Sequence, residues 1–302
     1  MNMFRRGHLV IPFLIFLLVI PATALCAGKG KIKHLTSITK NSETGRLSLL
    51  SGLFFDESRN RLYVTDTTNK RILAFDVDFK FVSEFNAGGA LGAPTSLARS
   101  SKGRLFVAEP AKGKVLFIDI KQKSVRPINF SAVPKANAVY PGNMAVDSAD
   151  NLYIVDKANQ RVLIFDADMR FNRQILVKDG NGLIDVKVGP NGNIYTLDTI
   201  DGAIRVFDRR GNLLKRFGKK GKDKGEFNFP VSLAVHPNRM VYVVDQHNHK
   251  VLAFNKKGEF VLDFSQLGWR EGRLHYPSYI YINKAGKIFV VDRGNSRVSI
   301  FE

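Results

Sequence analysis

One sixteen-residue pattern recurs six times in this chain and limits its fold more than any other feature. The clearest copies are "RLYVTDTTNKRILAFD" (61–76), "NLYIVDKANQRVLIFD" (151–166), "MVYVVDQHNHKVLAFN" (240–255) and "KIFVVDRGNSRVSIFE" (287–302). Two looser ones are "RLFVAEPAKGKVLFID" (104–119) and "NIYTLDTIDGAIRVFD" (193–208). An acid marks each copy, at Asp66, Glu109, Asp156, Asp198, Asp245 and Asp292, with steps of 42 to 47 residues. A repeat of that period means small units that cannot bury their apolar faces alone and must stack on neighbours.

Each unit reads as four strands. A β-rich run follows a proline, as in "PGNMAVD" (141–147) and "PVSLAVH" (230–236). A turn such as "PNGN" leads to a second run ending at the acid, a four-residue turn to a third, and a more polar fourth run closes the unit. Apolar runs of this length between Gly, Asn, Asp and Pro signals are strands. Six such units predict an all-β, six-bladed propeller of four-stranded antiparallel blades. The sixth unit stops after its third strand, where the chain ends. The β-capable segment "KIKHLTSITK" (31–40) precedes the first blade and is expected to pair with 296–302, closing the last blade and leaving no open edge.

The chain begins with Arg5 and Arg6, the apolar run 9–20 and the small-residue stretch "ATALCAG". That order reads as a signal peptide over 1–27, with the propeller occupying 28–302. Cys26 raises lipid attachment as an alternative, although Leu25 stands where a small residue is wanted. Cleavage after Ala27 would remove the single Cys, so no disulfide would hold the exported protein and its core must suffice. The net charge of +19 becomes +17 once the two signal arginines leave. Such an excess favours anionic partners.

The units "FGKKGKDKGEFNFPVSLAVHPNRMVYVVDQHNHKVLAF" (217–254) and "GRLHYPSYIYINKAGKIFVVDRGNSRVSIF" (272–301) resemble the NHL repeat. They carry its G-x-F-x-x-P start, its V-V-D and its D-x-x-N-x-[RK]-[VI] turn. Blades one, three, five and six match well. Blade two departs with Glu109 and Lys112, and blade four with Asp201 and Ala203. The resemblance covers essentially the whole exported chain and implies the propeller architecture. It does not imply one function, because the family includes RNA-binding, protein-binding and lyase members.

Within the turn, Asn69, Asn159, Asn248 and Asn295 suit a tight bend, since an Asn side chain bonds nearby backbone. The basic residue five after the acid is Arg71, Lys114, Arg161, Lys250 or Arg297, placed to pair with the carboxylate. Its recurrence argues for a folding role, with a ligand-binding ring of cations as the alternative. In a four-stranded meander the turn between strands two and three shares a face, here called the top, with the crossover to the next blade. That face collects Lys219, Lys220, Lys222 and Lys224 with Trp269, Arg270 and Arg273, a combination suited to anionic or sugar-like partners. On the innermost strands, Leu53, Ser96, Asn143, Asp185, Ser232 and Tyr279 form a column expected to line a water-filled channel. Two places on stand Phe55, Ala98, Ala145, Lys187, Ala234 and Tyr281, mostly small. Asn143 and Asp185 are weak candidates for Ca²⁺, which wants more oxygens than two. No other cofactor is expected.

Beyond the signal stretch, His34, His236, His247, His249 and His275 are the histidines, and the last four do not space like a zinc enzyme's ligands. No G-x-S-x-G or phosphate loop occurs. The reading that follows is an exported, monomeric, non-enzymatic scaffold, periplasmic or extracellular, with membrane association as a further option. Its partner would be a protein, an anionic polysaccharide or a lipid headgroup; nucleic acid conflicts with export. The alternative is a metal-dependent hydrolase or lyase, lactonase-like or amidating-lyase-like.

Overall fold

The computed structural model describes residues 32–302, so the signal stretch and the cleavage point lie outside the described residues. Twenty-four strands form six four-stranded antiparallel sheets. Blade 1 runs from Leu50–Asp56 to Phe81–Phe85, blade 2 from Ser96–Arg99 to Ser124–Pro127, and blade 3 from Pro141–Val146 to Phe171–Leu176. Blade 4 runs from Leu183–Val188 to Leu213–Phe217 and blade 5 from Pro230–Val235 to Phe260–Phe264. Blade 6 takes Tyr279–Ile282, Ile288–Asp292 and Arg297–Phe301 from the end of the chain and His34–Ile38 from its start. Among the described residues, no helix is long and apolar enough to cross a membrane.

The closure has the expected partners. Ile38 sits opposite Val298, Ser37 opposite Ser299 and Thr36 opposite Ile300, with a bulge before His34. Beyond the strand, Lys33 and Glu302 exchange backbone hydrogen bonds of 2.7 and 3.0 Å, so both ends are fastened. His34 stands edge-on to Phe301 at 5.5 Å.

Position in the blade decides composition. Second and third strands such as Leu152–Asp156 and Arg161–Phe165 are buried throughout, because neighbouring blades cover both faces. They therefore read as continuous apolar runs. Fourth strands such as Phe81–Phe85 show only their end residues partly to the core, and their sequence turns polar. The apolar clusters lie between blades: Phe106 and Phe117 of blade 2 pack with Ile154, Leu163 and Phe165 of blade 3. Across the closure, Leu53 and Phe55 of blade 1 meet Phe289 and Ile300 of blade 6. Each such side chain contributes about 1.5–3 kcal/mol when fully buried. Much of the stability is therefore inter-blade and depends on the ring being closed.

The crossovers into blades 5 and 6 share one shape. Lys220 bridges Phe227 in the first, and Leu267 bridges Leu274 in the second, in the same parallel sense. Phe227 and Leu274 are fully buried and plug the outer part of the core. The first crossover lies against Gly202: a Cβ there would stand 2.7 Å from the Lys219 carbonyl carbon, and its φ is +66°. That explains a glycine at the blade 4 turn.

Candidate functional site

The landmark acids are fully buried in all six blades. Each accepts backbone N–H groups from the crossover entering its own blade. Ser48 donates to Asp66, Tyr140 to Asp156, and His275 to Asp292, at 2.7–3.1 Å. Glu109 takes Gly92 and Ala93, Asp198 takes Asn181 and Gly182, and Asp245 takes Asn228 and Phe229. The second carboxylate oxygen accepts from the turn Asn at Asn69, Asn159, Asn248 and Asn295, at 2.7–2.9 Å.

The basic residues of these turns are consumed in the same way. The Nε of Arg71, Arg161 and Arg297 donates to the acid at 2.9, 2.7 and 2.7 Å. Their Nη2 groups donate to crossover carbonyls: Thr44 for Arg71, Pro134 for Arg161, and both Arg270 and Arg273 for Arg297. Arg161 is 2 % exposed. Lys114 stands 3.5 Å from Glu109, and Lys250 pairs with Asp263 at 2.7 Å. Of the two expectations for these five residues, the contacts favour the folding role over the ligand-binding ring: the arginines face inward as fasteners, and the lysines stand beside carboxylates. Blade 4 lacks the repeat's arginine, yet Arg205, two places on, reaches Asp201 at 2.8 Å, the Asp179 carbonyl at 2.9 Å and the vicinity of Asp198 at 3.7 Å. The spacing of the repeat hid that substitute.

The inner-strand column divides in two. Register shifts occur in the first strands of blades 1, 3, 4 and 5, between Leu50 and Leu53, Pro141 and Met144, Leu183 and Asp185, and Pro230 and Ser232. Leu53, Asn143 and Tyr279 border the cavities along the channel, whereas Ser96, Asp185 and Ser232 are fully buried. Asp185 accepts from the Ser232 hydroxyl at 2.8 Å, from the Leu233 and Val186 N–H groups at 2.9 and 2.8 Å, and from the Lys187 ammonium. Lys187 also lies 4.8 Å from the Tyr279 ring centroid. Burial pushes the Lys187 ammonium down, but the Asp185 carboxylate more than reverses this and holds it above its ordinary value. Burial pushes the Tyr279 phenol up. Lys187 and Tyr279 border the channel, and Tyr279 also borders the cavity at its top. Lys187 takes the place at Asp185 that a cation would need, and Asn143 is not among the partners of that carboxylate. Among the described residues no cluster of three or more metal-ligating acids, histidines or cysteines forms.

A top-face cavity of about 450 Å³ is bordered by Asn143, Lys157, Tyr140, Phe229, Gln246 and Arg293, with no carboxylate in its lining. Burial holds the Lys157 ammonium below its ordinary value, partly offset by Asp185. Lys157 has no ion-pair partner among the described residues. Beside this mouth, blades 5 and 6 raise an aromatic cluster. His247 stacks on Phe229 at 4.4 Å, and Tyr276 stands edge-on to His249 at 4.7 Å. His275 lies between His249 at 5.8 Å and Trp269 at 5.6 Å. Trp269 is 72 % exposed. Burial, then the neighbouring His275 and His247, hold the His249 imidazole below its ordinary range. Its Nδ1 accepts the Tyr276 N–H at 3.0 Å. Lys219, Lys220, Lys222 and Lys224 are exposed on the crossover into blade 5, as is Arg270 on the next, with Arg273 half-buried. Lys219 pairs with Glu226 at 2.5 Å, and Lys224 lies 5.7 Å from the Phe260 ring. The histidine–tyrosine group was not foreseen; its parts come from three separate loops.

Residues 185–269 match a family model described as DUF5128: 6-bladed beta-propeller. No curated protein matches the chain. Among solved structures, a streptogramin B lyase is similar with 12% identity and a TM-score of 0.65, covering 90% of this chain and 97% of that one. A catalytically inactive histidine-to-alanine variant of virginiamycin B lyase from Staphylococcus aureus, with quinupristin, has 14% identity and a TM-score of 0.65, covering 90% and 88%. A protein of unknown function from Bacteroides thetaiotaomicron has 12% identity and a TM-score of 0.67, covering 89% and 75%. At these identities the likeness is one of fold, a six-bladed propeller.

Proposed function

We propose that this chain is an exported, NHL-type propeller that acts as a binding scaffold without catalysis of its own, engaging an acidic protein or anionic envelope polymer through its top face. The observation that carries this reading is what the top face leaves over once the repeat turns are satisfied. All six landmark acids are spent on backbone N–H groups and, in five blades, on basic side chains, while Lys157, Lys220, Lys222, Arg270 and Arg293 have no carboxylate partner among the described residues. Beside them stands the exposed indole of Trp269. Unpaired cations flanking an aromatic surface attract anionic chains and stack on their rings.

The test is retention on beads carrying an anionic polysaccharide, over a salt series, for the wild type and for a variant with Lys219, Lys220, Lys222 and Lys224 all changed to Glu. Retention that falls with salt and is lost in the variant is the expected result. Equal retention of both proteins would remove the top face from the account. Export is tested separately, by finding the protein outside the cytosol with residues 1–27 removed.

A lyase reading draws on one observation, the histidines His247, His249 and His275 gathered beside the channel mouth. Linearisation of a cyclic streptogramin by the purified protein, abolished by His249→Ala, would favour it over a scaffold.

A further inference from the structure

The opposite face carries a second concentration of positive charge, built differently. A cavity of about 560 Å³ opens there between the turns joining strands one and two and those joining strands three and four. Its cations are Arg99 of blade 2, Arg173 of blade 3, Arg209 of blade 4 and Lys284 of blade 6. Arg99 is buried and paired with Asp56. The other three are in no ion pair among the described residues, and residues 1–31 contain no acid that could supply one.

The acids nearby are bonded elsewhere. Asp147 is the one carboxylate in the lining. One of its oxygens takes the Ala149 and Asn151 N–H groups, and the other takes the Asn151 amide and the Tyr153 hydroxyl, at 2.8–3.0 Å. Asp208 is likewise turned to the Arg210 and Asn212 N–H groups and the Asn212 side chain. Glu57 accepts the Lys284 backbone N–H at 2.6 Å.

Arg173 is the key residue. Its Nη2 donates to the Arg209 carbonyl and so fixes the turn that carries the Arg209 side chain. Its Nη1 is buried and has no hydrogen-bond partner. A guanidinium donor without an acceptor is costly, so the Arg173 side chain gains by turning its Nη1 toward a ligand oxygen in the cavity. Val146, Val188, Pro190 and Tyr153 add an apolar wall. Val146, Val188 and Arg99 also border the lower channel, with Ala98, Ala145, Ala234 and Lys187. The cavity thus has a cationic rim and a mostly apolar inner end.

We propose that this lower mouth binds a small molecule carrying a tetrahedral oxyanion, a phosphate or sulfate monoester, with its oxyanion among Arg173, Arg209 and Lys284 and its body toward the channel. Planar guanidinium groups bond such oxygens through paired donors, whereas an ammonium acts as a point charge. The volume is that of a small-ligand pocket, larger than a bare anion needs. Arg99, Arg173 and Arg209 come from successive blades and border this one cavity; the contact of Arg173 with the Arg209 carbonyl has a counterpart in Lys215 and the Lys256 carbonyl, where ammonium replaces guanidinium.

Calorimetric titration with inorganic phosphate, glucose 6-phosphate and glucose tests this on the folded protein. The ester should bind more tightly than phosphate, and glucose should not bind. Arg209→Gln and Lys284→Gln, both at exposed positions, should keep the circular dichroism spectrum, and Arg209→Gln should weaken the ester at least about tenfold, as loss of a charged hydrogen bond does. Arg173→Lys keeps the charge but not the fork and should also weaken it. Lys222→Glu with Lys224→Glu, on the other face, should leave the affinity unchanged. Absence of binding by phosphate and ester at millimolar concentration, or equal affinity in Arg209→Gln, would overturn the proposal. So would binding confined to phosphatidylglycerol vesicles, which would make the site a lipid contact.

Discussion

The repeat turns and the lower mouth are both rich in arginine, and the two regions use it in opposite ways. At the turns, Arg161 and Arg297 are buried, each bonded to an acid and to crossover carbonyls. At the lower mouth, Arg173 and Arg209 are in no ion pair among the described residues, and one donor of Arg173 has no partner. What recurs in every blade serves what every blade must do, which is to hold its crossover. What varies between blades, as where Lys215 and the Lys256 carbonyl stand in the places of Arg173 and Arg209, is free to serve a ligand.

The comparison breaks most severely if ring closure is not what the turns support. Removing residues 32–38 takes away the strand paired with Arg297–Phe301 and exposes one side of the core shared by blades 1 and 6. This deletion should give the largest loss, seen as a collapse of the cooperative melting transition. Next in size is Phe227→Ala. The ring is fully buried in the crossover and packs on Phe254 at 5.4 Å, so about 3–5 kcal/mol should be lost in denaturant titration. An unchanged midpoint would mean the crossover is not part of the core.

A smaller effect should follow pH. His249 in the folded protein titrates below its ordinary 6.5, chiefly through burial and then through its histidine neighbours. Between the folded value and 6.5 the unfolded chain binds more protons, so stability falls as pH drops below 6.5 and is present above it. His249→Asn should flatten that part of the melting-temperature profile. If the slope persists, another group is responsible. The smallest effect on stability belongs to the exposed cations: Lys222→Glu should move the midpoint by no more than about 0.5 kcal/mol, while changing salt-dependent retention on anionic beads.

Much of the architecture was legible in advance for a physical reason. The third strand of blade 6 is the end of the chain, and an open edge needs a partner, so the segment before blade 1 was the available choice. The acid and its turn could be read because six blades solve one problem alike. Three features were not legible. Arg205 does the work of the absent arginine in blade 4 from two places further on, where side-chain reach and not spacing decides. The buried polar group around Asp185 and Lys187 follows register shifts in the inner strands, which no apolar pattern marks. The lower mouth draws Arg99, Arg173, Arg209 and Lys284 from four blades, and only the closed ring brings them together.

The most direct measurement is the unfolding free energy of Arg161→Gln beside that of Arg209→Gln, in the same buffer without added ligand. Breaking the buried pair with Asp156 should cost about 3–5 kcal/mol, whereas the exposed Arg209 should change stability by less than about 0.5 kcal/mol. Equal losses, or a larger loss at Arg209, would contradict the division between arginines that build the ring and arginines that the ring leaves free.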